Sequence, residues 1–95
     1  MVVGVLRIAL HLEAVHGLKE KRGIVQRILS RCRNRFPVSA AEVDNQDLWR
    51  SATLGFAMVS SSEALITAHL DRLEAEIEST GLAEIVSSEI EFIHL

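Results

Sequence analysis

Residues 18–36, LKEKRGIVQRILSRCRNRF, decide the fold because they predict one long amphipathic helix between strand-like segments. Apolar residues recur in this stretch at spacings of one, three or four, which places them on one side of a helix. Pro37 predicts the end of the helix, since the residue before a proline is disfavoured in the α region. The side chains expected to face the core are Ile24, Val25, Ile28, Leu29, Cys32 and Phe36.

The segments on both sides of this helix are predicted to be strands. Side chains of Val2–Leu12 alternate in direction with apolar residues on both faces, which is typical of a central strand. Shorter strands are predicted at Val38–Val43 and Ala52–Val59, and Leu82–Leu95 is expected to end in a fourth strand.

A second helix is predicted between the third and fourth strands. Ser60 and Glu63 have the spacing of a capping box at its start, and Gly81 is well placed just after its end. The order β-α-β-β-α-β predicts an α+β ferredoxin-like sandwich, in which a four-stranded antiparallel sheet carries two helices on one face. With 95 residues, the chain is expected to form a single domain, residues 1–95.

Charge is distributed unevenly along the chain. Residues 1–50 contain nine Lys and Arg against five Asp and Glu, a net charge of +4, whereas residues 51–95 contain one Arg against eight acidic residues, a net charge of −7. This pattern predicts either a basic surface for an anionic partner or two halves that neutralise each other. The first helix carries most of the cations, at Lys19, Lys21, Arg22, Arg27, Arg31, Arg33 and Arg35.

The cations in the first turn of this helix suggest an anion site. Lys19, Lys21 and Arg22 lie where the helix dipole disfavours positive charge and where free N–H groups can bind a phosphate. The alternative is internal pairing with Glu74–Glu78 of the second helix, whose C-terminal end is expected nearby.

The outward face of the same helix offers further polar groups. Arg27, Ser30 and Asn34 share this face, and guanidinium and amide groups suit phosphate and sugar contacts. The position of Arg31 can also be explained without a function, because the helix dipole favours cations near the C-terminal end of a helix. The predicted nucleic-acid-binding or anion-binding residues are Lys19, Lys21, Arg22, Arg27 and Arg31.

The polar connection Asp44–Ser51 contains the only tryptophan. Trp49, beside Asp47 and Arg50, predicts a partner-binding anchor. The alternative is that the indole folds back to cover the sheet edge. Asp44 and Asp47 without further ligands make a poor metal site, so neither a metal nor a cofactor is expected.

Other features argue against an enzyme and against a membrane protein. The four histidines show no ligand spacing, no nucleophile–base set converges, and there is no glycine-rich phosphate loop. No segment approaches the roughly 18–20 apolar residues of a membrane span. A single cysteine, Cys32, precludes an intrachain disulfide, which fits a cytoplasmic protein.

The sheet face without helices is expected to be apolar. It carries no aromatic platform, so it does not resemble the RNA-binding sheet of an RRM. A homodimer that buries this face is expected, because an exposed apolar face in a small domain usually finds a cover. Packing by the C-terminal residues is the alternative.

Two motifs give the chain a resemblance to a known family. LKEKR at 18–22 and RFPVSAAEVDNQDLWRSATLG at 35–55 resemble signatures of the YlxP-like family, small bacterial proteins of unknown function. The resemblance covers essentially the whole chain and implies a ferredoxin-like cytosolic protein. Gly17 departs from the serine that the family commonly has there, which removes a side-chain cap. The signature residues carried over are Lys19, Lys21, Arg22, Glu42, Asp44, Gln46, Asp47, Leu48, Trp49 and Gly55.

Genes of this family often lie beside those for translation initiation factor two and ribosome-binding factor A. The resemblance therefore implies a connection with ribosomal RNA or a ribosomal subunit. Together with the basic helix, it predicts a non-catalytic RNA- or ribosome-associated module that binds phosphates through the start of the first helix. The alternative is a homodimeric protein-interaction module without nucleic-acid binding.

Overall fold

Four strands and two helices follow one another in the predicted order in the computed structural model, which describes residues 1–95. The sheet has the strand order second-third-first-fourth, and every neighbouring pair is antiparallel. This confirms the α+β ferredoxin-like sandwich. The elements are β1 Val2–His11, α1 Leu18–Arg35, β2 Ser39–Asp44, β3 Ser51–Ser60, α2 Glu63–Ser79 and β4 Glu84–His94.

The core lies between one face of the sheet and the two helices. Leu6 of β1 pairs with Phe56 of β3, and Ile8 pairs with Leu54, so the two central strands place alternate apolar side chains on the same face. All four side chains are buried. The helices cover them with the buried residues Val25, Ile28, Leu29 and Cys32 of α1 and Ile66, Leu70, Leu73 and Ile77 of α2.

The helix ends differ in one detail from the prediction. The N-cap of α2 is Ser62, whose Oγ accepts a hydrogen bond from the N–H of Leu65 at 3.2 Å, so the predicted capping role of Ser60 is wrong. Ser60 instead accepts from the N–H of Ser62. Gly81 follows α2 with a φ of 66°, the left-handed conformation predicted for this position.

The sheet face opposite the helices, the open face, has no covering layer. It carries alternate residues of β1, from Val3 to Ala9, and their neighbours on the flanking strands. Neither helix is both long and apolar enough to cross a membrane.

Candidate nucleic-acid interface

The outward side of α1 is strongly basic. Lys19, Arg22 and Arg27 are exposed and form no ion pair. Residues 19, 22, 26, 30 and 33 follow one another at spacings of three and four, so one polar side runs along the helix for roughly 21 Å. These three cations therefore face solvent without an internal partner.

The second half of this basic side borders a groove of about 800 Å³. Four arginines line it, together with amide and hydroxyl groups and a wall from the connection between α2 and β4. Only one of the nine lining residues is hydrophobic. They are Gln26, Arg27, Ser30, Arg31, Arg33, Asn34, Arg35, Thr80 and Leu82.

Glu76 of α2 fixes two of these arginines. Its Oε1 lies 2.5 Å from Arg31 Nε and 2.9 Å from Arg35 Nη1. The hydrogen bond from Arg31 is the main reason that the pKa of Glu76 lies below its usual value of 4.5. Four guanidinium groups and one carboxylate leave the groove with a surplus of positive charge.

Arg33 is held in place by a neutral carbonyl group, so no carboxylate offsets its positive charge. Its Nη2 donates a hydrogen bond of 2.5 Å to the carbonyl oxygen of Ala40 on β2. Arg33 and Arg35 lie in the last turn of α1, where the helix dipole favours cations. Arg27 lies well before that turn, so the dipole does not account for it.

Lys21 is not available to an external phosphate, and its predicted role in anion binding is wrong. Its side chain is completely buried, and its Nζ lies 2.9 Å from Glu42 Oε2. The Nζ also donates a hydrogen bond of 2.5 Å to the carbonyl oxygen of Asn45. The acidic residues of α2 do not neutralise the first turn of α1 either. Glu76 pairs with Arg31 and Arg35 near the other end of the helix. The first-turn cations Lys19 and Arg22 form no ion pair.

A signal for the burial of Lys21 is present in the sequence. Lys21 precedes Val25 by four residues, Ile28 by seven and Cys32 by eleven, so it continues the apolar stripe of α1. A lysine on that stripe needs a buried carboxylate, and the second motif supplies Glu42. The periodicity of α1 is therefore enough to predict that Lys21 is buried. Its pairing with Glu42 cannot be predicted in this way, because it depends on how β2 packs against α1.

A β-bulge in β2 separates two neighbouring carboxylates. The register with β3 shifts between Glu42 and Asp44. Glu42 reaches Lys21 on the helix side, whereas Asp44 Oδ2 lies 3.5 Å from Arg7, an exposed residue of the open face. An extra residue in one strand changes which face the next side chains occupy, so the bulge sends the two acids to opposite sides.

The loop after β2 is anchored at its first residue. Asn45 has a φ of 61°, its side chain donates to Thr53 Oγ1 at 3.1 Å, and its carbonyl oxygen accepts from Lys21. Further along, Leu48 and Trp49 are each about half exposed, at 52% and 50%. Trp49 thus keeps about half of its surface in solvent.

The predicted partner-binding residues Asp47, Trp49 and Arg50 are all exposed on this loop. No observation identifies a partner, and their role stays a prediction. No three His, Cys, Asp or Glu side chains lie close enough together to hold a metal ion.

Comparison with known proteins identifies the family. A family model described as "Protein of unknown function (DUF503)" matches residues 3–90. The chain belongs to this family. It is also similar to "Uncharacterized protein YlxP" of Bacillus subtilis (strain 168), with 45% identity over 62 residues, which cover 65% of this chain and 67% of the relative. The resemblance inferred from the two motifs is thereby confirmed.

Two solved structures have a similar fold. The structural genomics protein YJCS aligns with a TM-score of 0.58 and 10% identity, over 97% of this chain and 99% of its own. The de novo designed protein Foldit4 aligns with a TM-score of 0.51 and 18% identity, over 99% of this chain and 97% of its own. At these identities the likeness concerns the fold alone.

Proposed function

We propose that the chain is a non-catalytic RNA-binding module of the cytoplasm that contacts phosphates through the outward side of α1. The observation that carries the proposal is the arginine-lined groove, with its surplus of positive charge. The resemblance to the YlxP-like family makes ribosomal RNA and ribosomal subunits the first partners to test.

The chemistry of the groove suits a nucleic-acid backbone. Guanidinium groups bind phosphate oxygens through paired N–H donors, and Arg27 and Arg33 have no carboxylate partner to give up first. Ser30 and Asn34 stand beside them and can hydrogen-bond sugar hydroxyls or base edges. Because Arg31 and Arg35 are already held by Glu76, less side-chain freedom is lost on binding.

The exposed cations at the start of α1 extend this surface. Lys19 and Arg22 lie on the same side of the helix as the groove and form no ion pair. They remain phosphate contacts in the proposal, whereas Lys21 does not. A long basic side with an arginine groove at one end fits a backbone that runs along the helix.

The experiment measures binding to purified ribosomal RNA and to ribosomal subunits at salt concentrations between about 50 and 200 mM. We expect affinity to fall steeply with salt. Arg27→Gln and Arg22→Gln should each weaken binding and reduce the slope of log affinity against log salt by about 1, since each removes one phosphate contact.

Arg72→Gln is the matched control, because it makes the same charge change at an exposed position of α2 without an ion pair. The proposal predicts that this variant binds like the wild type. Salt-insensitive binding, no binding, or equal losses in Arg27→Gln and Arg72→Gln would refute it.

A further inference from the structure

The open face of the sheet is apolar at one end, and in the middle it carries small residues on β3 and charged residues on β1 and β4. Val3 is flanked by Val59 on β3 and Ile93 on β4, which are 60% and 46% exposed. Further along β1, the neighbours on β3 are Ala57 and Gly55. The small residues on β3 leave room there for a second sheet at the usual packing distance of about 10 Å.

The size of this face is compatible with a specific interface. β1 has 10 residues and the sheet has four strands. Strand geometry gives a face about 33 Å long and about 19 Å wide, or roughly 600 Å² for each copy. Two such faces together bury roughly 1,200 Å², which is the lower end of the range for specific protein–protein interfaces.

The charges on this face do not pair well within one chain. Arg7 lies beside Glu89 across the β1–β4 pair, and Glu91 lies two residues further along β4. Neither glutamate forms an ion pair. The one ion pair of Arg7 is the 3.5 Å contact with Asp44, in which the side chains are 57% and 61% exposed, and such surface pairs contribute little.

We propose that the open face binds a second copy of the chain across a two-fold axis that runs between Arg7 of β1 and Glu89 of β4. In this arrangement Arg7 of each copy meets Glu89 and Glu91 of the partner subunit, and the same patch serves both copies. Three carboxylates around one arginine repel a phosphate backbone, so this face does not suit RNA. Arg7 of one copy and the unpaired Glu89 and Glu91 of the partner subunit offer each other opposite charges, which identifies a second copy as the occupant. This inference does not depend on RNA binding.

Charge-exchange variants test the proposal by sedimentation at micromolar concentration. Arg7→Glu alone, and the double variant Glu89→Arg with Glu91→Arg, each place like charges across the axis. We expect the dimer dissociation constant to rise at least about a hundredfold in both. Mixing the two variants restores opposite charges at both contacts, so the mixture should form a heterodimer. Arg72→Glu on α2 is the control and should leave the dimer unchanged.

Circular dichroism of each variant separates lost association from lost folding. A dimeric wild type, monomeric variants and a heterodimer in the mixture support the proposal. A monomeric wild type at tens of micromolar overturns it. So does a wild-type dimer that Arg7→Glu leaves intact, or two folded variants that fail to associate when mixed.

Discussion

Lys21 is a buried cation whose carboxylate partner is Glu42. Removing one member of a buried pair leaves the other charge without compensation, whereas removing both is far less costly. Lys21→Ala should therefore reduce the free energy of unfolding by about 3–5 kcal/mol. Urea denaturation measures this loss. In the double variant Lys21→Met with Glu42→Gln, we expect most of the stability to return.

Lys19→Ala provides the comparison for that prediction, since Lys19 lies two residues away but is exposed and forms no ion pair. It should change stability by no more than about 0.5 kcal/mol. Equal effects of Lys19→Ala and Lys21→Ala would mean that the buried pair does not stabilise the fold. Lys21 also donates a hydrogen bond to the carbonyl oxygen of Asn45, so this signature lysine anchors the loop that presents Trp49.

Cys32 is a buried thiol with low reactivity. Its pKa is raised from 9.0 to about 11, mainly by burial and also by the nearby carboxylate of Glu76, against a smaller lowering by Arg31. The unfolded chain therefore releases the thiol proton first as pH rises, and the stability that Cys32 contributes is lost between about pH 9 and pH 11. At pH 8, we expect a thiol-specific reagent to react much faster with urea-unfolded protein than with native protein. Equal rates would contradict the prediction.

At the scale of elements, Glu76 joins the two helices through Arg31 and Arg35. Because folding lowers its pKa, its stabilising effect is present above about pH 4.5 and is lost as pH falls through the folded-state value. Glu76→Gln should lower the melting temperature at pH 7, and the difference from wild type should shrink in acid. Glu78→Gln, at an exposed position of α2 without an ion pair, should show neither effect.

The contact between β1 and α2 depends on Gly4. A Cβ at this position would collide with the Ile66 side chain, so Gly4→Ala should destabilise the fold by about 1–3 kcal/mol. Gly23 on α1 has no atom within 4 Å of an added Cβ, and Gly23→Ala should stabilise by about 1 kcal/mol. Thermal unfolding of both variants measures the contrast. In Gly4→Ala with Ile66→Ala, the two losses should not add, since the second change removes the collision.

Local patterns in the sequence predict the elements well because each depends on near neighbours. The stripe of α1, the stop at Pro37 and the left-handed Gly81 all follow from a few adjacent residues. The pairing of Lys21 with Glu42 and the bulge after Glu42 depend on contacts between residues distant in sequence. For the same reason, the sequence favours a basic site at the start of α1, whereas the groove forms where α1 meets the α2–β4 connection.

At the scale of the whole molecule, the sheet separates two surfaces of different charge. The helices lie on one face, and the outward side of α1 carries exposed cations. The open face carries Arg7 among three carboxylates. A dimer through the open faces therefore places its two α1 surfaces on opposite outer sides. A short RNA can reach one of them, whereas a long RNA can wrap around the dimer and reach both.

This geometry predicts that dimerisation increases affinity for long RNA without changing affinity for a short hairpin. Engaging two linked sites can raise affinity by about 10²-fold over one site. The ratio of long-RNA to hairpin affinity should therefore be high for the wild type and fall toward 1 in both Arg7→Glu and Glu89→Arg with Glu91→Arg. The two variants change the net charge in opposite directions. A lower ratio in both therefore reflects the loss of the second binding site and not the change in charge. A ratio that stays at the wild-type value in both monomeric variants would contradict the prediction.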